Sequence, residues 1–145
     1  MKRPVDAVIR IGLSANNFSR NSKLGSIANS IAIENNGMLY ANIKNNSNAN
    51  NNQPIVSQFP HTFNRYDTVG IGILKRKDNS NLNDIFFSLN GKFIGFIFYC
   101  VPNYCAFPTL YATKRATQFH CNFGYYPFKF NLSNLYHSIL SNENY

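Results

Sequence analysis

The sequence predicts an all-β fold, an antiparallel β-sandwich, and three observations carry that expectation. Apolar residues alternate with a period of two along most of the chain, which is the signature of half-buried strands. Asn-Gly pairs and other turn formers break the alternation roughly every ten residues. The composition favours strands, with aromatics at 15% (13 Phe, 9 Tyr) and Asn at about a sixth of the chain. Aromatic and β-branched side chains fit pleated surfaces. Asn resists helix because its amide competes for backbone hydrogen bonds. At 145 residues the chain fits one domain with a core that needs neither disulfides nor metal.

The first strand is expected over Val8 to Leu13, with Ile9, Ile11 and Leu13 on one face and Val8, Arg10 and Gly12 on the other. Ser30 to Glu34 and Met38 to Asn42 form a hairpin about Asn35-Asn36-Gly37, because Asn and Gly both tolerate positive φ. The run Asn45 to Gln53 is low-complexity and polar, has nothing to bury, and reads as a disordered loop insertion. Strands resume at Thr68 to Leu74, Asp84 to Leu89 and Lys92 to Phe98, the last two joined by a two-residue turn at Asn90-Gly91. Neighbouring Phe86 and Phe87 are expected to point one to the core and one to solvent. Phe107 to Ala112 and Thr117 to Phe123 complete the series. Beyond residue 130, Ser133 is a candidate cap for one short helix with Leu135, Ile139 and Leu140 along one side. The expected organisation is a domain over residues 1–130 and a tail over 131–145.

Charge and cysteine usage narrow the function classes. The formal net charge is +8, but the basic residues are scattered, and only Lys75-Arg76-Lys77 forms a run. Solubility is the ordinary reading of such a charge, with nucleic acid or an anionic membrane as the alternatives. Tyr111, Lys114, Arg115 and Phe119 interleave aromatic and basic residues as a single-strand platform would. On a sandwich, however, half the aromatics must face the core, so nucleic acid remains a secondary reading. No signal peptide and no membrane-spanning run is expected, and three Cys without a secretory signal point to a reducing, cytosolic setting.

Cys100, Cys105, His120 and Cys121 raise zinc, but adjacent strand residues point to opposite faces, and the spacing is untidy. Free thiols are the expectation, with no metal and no cofactor. A Cys-His nucleophile would need a base within reach and a third group to orient it. The carboxylates Asp6, Asp67, Asp78, Asp84, Glu34 and Glu143 fall in turns and strand edges, away from His120. The chain is therefore expected not to be an enzyme, and to take no small-molecule substrate.

One set of motifs resembles a known family, the SPRY domain, over about Ile9 to Phe130. Ile85-Phe86-Phe87-Ser88-Leu89-Asn90-Gly91-Lys92 is similar to the family's FFT-x-NGK hairpin. Phe107-Pro108 is similar to its aromatic-Pro strand start, and Asn122-Phe123-Gly124 with Pro127-Phe128 to its NFG..PF close. Upstream, Ile11-Gly12-Leu13-Ser14 and Asp67-Thr68-Val69-Gly70 are similar to IGLS and D-x-[VI]-G. Gly25 to Asn42 further resembles the fungal SPRY adaptors that direct a Nedd4-type ubiquitin ligase to membrane proteins at endosome and vacuole. The SPRY subunits of CTLH-type ligases and Ran-binding-protein-M-like proteins share IGLS and NFG..PF, but differ at Ser30-Ile31-Ala32-Ile33, so the adaptors are favoured.

Three departures stand out. Strands reading YYFEV are expected before IGLS in the family and are not found here, nor are the adaptors' membrane helix and Pro-Pro-x-Tyr motifs, so the chain reads as N-terminally truncated. The family's aromatic after Gly25 is Ile27, and its Gly before Asp67 is Tyr66. The resemblance implies a non-catalytic module that binds a protein or peptide through loops at one end: Ala15 to Leu24, the loop around Tyr66, and Tyr99 to Cys105. Arg20, Tyr66, Tyr99 and Tyr104 are the candidate contacts, since Tyr and Arg are enriched at interface hot spots.

Overall fold

Alternation resolves into eight strands among the described residues: β1 (Ile9–Ser14), β2 (Ser30–Glu34), β3 (Met38–Asn42), β4 (Ile55–Gln58), β5 (Val69–Lys75), β6 (Leu82–Leu89), β7 (Lys92–Pro102) and β8 (Phe107–Ala112). The computed structural model describes residues 7–15, 19, 21–43, 55–75, 82–102, 105–131 and 133, and the side chains of all these except 82 and 96–102. The Asn-rich run 45–53, Arg76, Lys77 and the helix expected after Ser133 lie outside the described residues. All pairings are antiparallel, in a five-stranded sheet of order β4-β3-β2-β1-β8 and a three-stranded sheet of order β5-β6-β7. The chain divides into two units, Met1–Thr62 with Tyr104–Phe119, and Phe63–Asn103 with His120–Tyr145.

In the first unit β1 and β2 approach closely because Gly12 carries no side chain. A Cβ there would collide with the Ile31 carbonyl oxygen. The β2–β3 connection is the three-residue loop Asn35-Asn36-Gly37, in which Gly37 takes a φ of 88° and its N–H donates to the Glu34 carbonyl. All five β2 residues are buried, and Leu13, Leu24, Leu39 and Ala41 share that core.

Arg10 and Gly12, on the face of β1 opposite Ile9, Ile11 and Leu13, are buried as well. Arg10 stands opposite Glu34 in the register and is 6% exposed. Its Nε donates to Glu34 Oε2 at 2.7 Å, and its Nη1 to the Leu24 carbonyl at 2.8 Å and Ser26 Oγ at 2.9 Å. The guanidinium also lies over the Tyr40 ring, 3.6 Å from its centroid. Glu34 is thus not a solvated edge carboxylate. Strand β4 was not anticipated: it pairs with β3, and Ile55 and Val56 are about half exposed at that edge.

In the second unit β6 is the central strand, and Asn83 to Ser88 are all buried. Phe86 and Phe87 are 5% and 0% exposed, which corrects the expectation that one of them faces solvent. A central strand has two faces to cover, and here Leu74, Phe93 and Phe130 cover the Phe86 side. Ring centroids lie 6.2 Å apart for Phe86–Phe93 and 5.3 Å for Phe86–Phe130, within the range of favourable aromatic pairs.

The strand expected over Thr117 to Phe123 does not form. Asn122 Oδ1 instead accepts from the N–H groups of Gly124 and Tyr126, and its Nδ2 donates to the Tyr126 carbonyl. Such local amide bonding competes with a sheet ladder. Phe123 is consequently 76% exposed, so the NFG..PF segment is a surface turn here.

Candidate partner-binding site

The loop from Phe63 to Thr68 enters β5 beside the β6–β7 turn. Phe63 is buried and anchors its start. The turn itself is Asn90-Gly91, with φ of 50° and 83°, the positive pair a two-residue hairpin requires. Gly91 is needed on a second ground: a Cβ there would come 2.7 Å from the Lys129 carbonyl oxygen, so the segment after Pro127 lies directly on the hairpin tip.

Asp67 and Asn90 strap the loop to that tip. Asp67 Oδ2 accepts from the Asn64 N–H at 2.7 Å, and its Oδ1 from Asn90 Nδ2 at 2.8 Å. Asn90 Oδ1 accepts from the Thr68 N–H at 2.8 Å, and the Asn90 N–H donates to the Thr68 carbonyl at 2.8 Å. The Asn90 amide chiefly, then the Asn64 N–H, hold the Asp67 carboxyl below its ordinary value of 3.8, and Lys129 adds a smaller pull. A carboxylate that accepts such bonds favours its charged form.

This strapped loop displays Tyr66. Its φ is 73°, and its side chain is 85% exposed. A left-handed backbone costs an L residue about 1–2 kcal/mol, which Gly escapes. This chain holds a bulky aromatic there against that strain. The Arg65 guanidinium lies 4.9 Å from the Tyr66 ring centroid.

Of the other candidate contacts, only Tyr99 falls within the described residues, and its side chain does not. Arg20 and Tyr104 lie outside them. Tyr99 is a residue of β7, which runs on to Pro102 opposite Leu82, and not of the loop expected from Tyr99 onward. Arg65, Lys129 and the turn residues Tyr125, Tyr126 and Phe128 are exposed as well, and sequence pattern alone does not mark them as contacts. Asp67 and Asn90-Gly91 stood out in the sequence, but their mutual contact spans some twenty residues and has no local signal.

The remaining chemistry is sparse. Cys105 is fully buried, and desolvation pushes its thiol up to about 11. Cys121 is exposed, and both are free thiols. Among the described residues no group of three or more His, Cys, Asp and Glu is placed to hold a metal ion. Lys114 and Arg115 are exposed and Tyr111 half-buried, with Phe119 39% exposed, so that segment presents charge with little open aromatic face. No helix among the described residues is long and apolar enough to cross a membrane.

No protein-family model and no curated protein matches the sequence. Among solved structures the chain is similar to a human SPRY domain, with a TM-score of 0.53 and 24% identity over 72% of this chain and 66% of that one. The chain has the SPRY fold. The antiparallel β-sandwich expected from the motifs is thereby met, and the present chain spans just under two thirds of the human SPRY structure.

Proposed function

We propose that the chain is a SPRY-type recognition module that binds a protein or peptide through the Tyr66 loop, with residues 1–130 as the binding domain and 131–145 as a tail. The observation that carries this is Tyr66 itself: a mostly exposed aromatic, held on a strained backbone by a four-bond strap. Strain persists where the surroundings over-determine it, and such sites are commonly functional. A rigid exposed Tyr also loses little entropy on binding. The motif resemblance extends the reading to the recognition part of a ubiquitin-ligase adaptor that brings membrane-protein cargo to the ligase at endosome and vacuole.

A photo-crosslinking amino acid placed at position 66 tests it in cells. Discrete protein adducts are expected at Tyr66 and not at the half-exposed edge residue Val56. Equal labelling at both positions would refute the loop as the site. Adducts that include a ubiquitin ligase or a membrane protein would support the adaptor role, and adducts with neither class would remove it.

A further inference from the structure

We infer that the ligand of the Tyr66 site is an acidic segment of protein carrying an apolar anchor; this rests on the recognition reading above and specifies its ligand. The strap brings the Arg65-Tyr66 loop, the hairpin tip before Lys92, and Lys129 into one corner of the second unit. Arg65, Lys92 and Lys129 are all exposed there. Among the described residues of this corner the one carboxylate, Asp67, accepts an internal donor on each oxygen. The corner therefore presents cations whose charge is not fully countered, on a chain of net charge +8.

The same unit also offers open aromatic surface. Tyr66 is 85% exposed, and Phe128, which precedes Lys129, is 58% exposed. Tyr126 is 59% exposed and braced edge-to-face by Tyr125 at 5.0 Å between centroids, on the turn that Asn122 ties. Complementary charge steers encounter and selects partners, while aromatic contacts supply affinity. An anionic membrane could satisfy the charge, but a fluid interface does not require aromatics held by a strained loop and an amide-tied turn. Fixed side chains match a partner of fixed covalent spacing, which a peptide segment supplies.

Selection from a combinatorial displayed-dodecapeptide library against the whole chain tests this. Peptides that retain Asp or Glu beside an aromatic or aliphatic residue are expected. Their Kd should rise about tenfold in the Arg65→Glu, Lys129→Glu double variant and at high salt, as for a charge-complementary contact. Tyr66→Gly should abolish capture with melting temperature unchanged or raised, because Gly relieves the backbone. Neutral or basic selected peptides that still depend on Tyr66 would overturn the acidic ligand and leave the recognition reading standing. Selected peptides indifferent to Tyr66→Gly, or no selected peptides, would overturn both. Tyr66-dependent binding to phosphatidylserine vesicles without peptide capture would assign the corner to a membrane and overturn the inference.

Discussion

Two polar pairs, one buried and one exposed, do different work in this chain. Arg10 and Glu34 are 7% and 8% exposed at their side chains, and both faces of the guanidinium-carboxylate contact are shut from solvent. Removing one partner of a buried pair strands the other charge, and that penalty is about 3–5 kcal/mol. Glu34→Ala should therefore lower chemical-denaturation stability by about that amount, enough to unfold a large share of a marginal domain. Asp67 lies at the surface, and its contribution is set by pH. Its folded carboxyl titrates below the ordinary 3.8, so its stabilisation is present above 3.8 and is lost as pH falls through the folded value. Melting temperature should accordingly fall more steeply below pH 3.8 in the native chain than in Asp67→Asn. Neither pair could be read from the sequence, because both join residues more than twenty positions apart. Cross-strand register decides the first and a loop-to-turn contact the second.

Strand placement was legible wherever turn chemistry and alternation agreed. Ser30–Glu34, Met38–Asn42 and Phe107–Ala112 form with the bounds expected, and the Asn90-Gly91 turn takes the two positive φ angles its residues permit. Failures have identifiable causes. Strand β4 is four residues long, exposed, and follows a polar run, so it has almost no pattern of its own. Residues 117–123 have alternation but lose the ladder to the Asn122 amide. A pair of substitutions separates these environments. Phe87→Ala, at a fully buried position, should cost about 3–5 kcal/mol in urea denaturation. Phe123→Ala, at an exposed turn, should stay within about 0.5 kcal/mol of the native chain.

At the scale of the molecule, the all-β architecture was legible because sequence-local turns and strands mark it, whereas the SPRY fold was legible only through the resemblance of its motifs to that family. The site was legible only in part. Tyr66 was singled out by residue type, but its strain, its strap and its cationic neighbours are products of tertiary contact. The charge of +8 is spread over both units, and the segment with Lys114 and Arg115 offers little aromatic surface for stacking bases. Binding to random single-stranded DNA should therefore be weak and should collapse as salt rises, since counterion release would be its main driving force. Tight binding in filter retention at physiological salt would contradict this.

Strand β8 ends the five-stranded sheet, with Phe107 at 51% and Leu110 at 39% exposure. An edge of that kind is a ready template for another chain. Pro108, paired with Leu13 on the β1 side, brings no N–H, so the outer row of donors is interrupted one residue into the strand. A proline on an edge strand withholds one donor from strand addition. Replacing it with Val would restore an unbroken β-prone segment to the open margin, and the chain would become harder to keep in solution at high concentration.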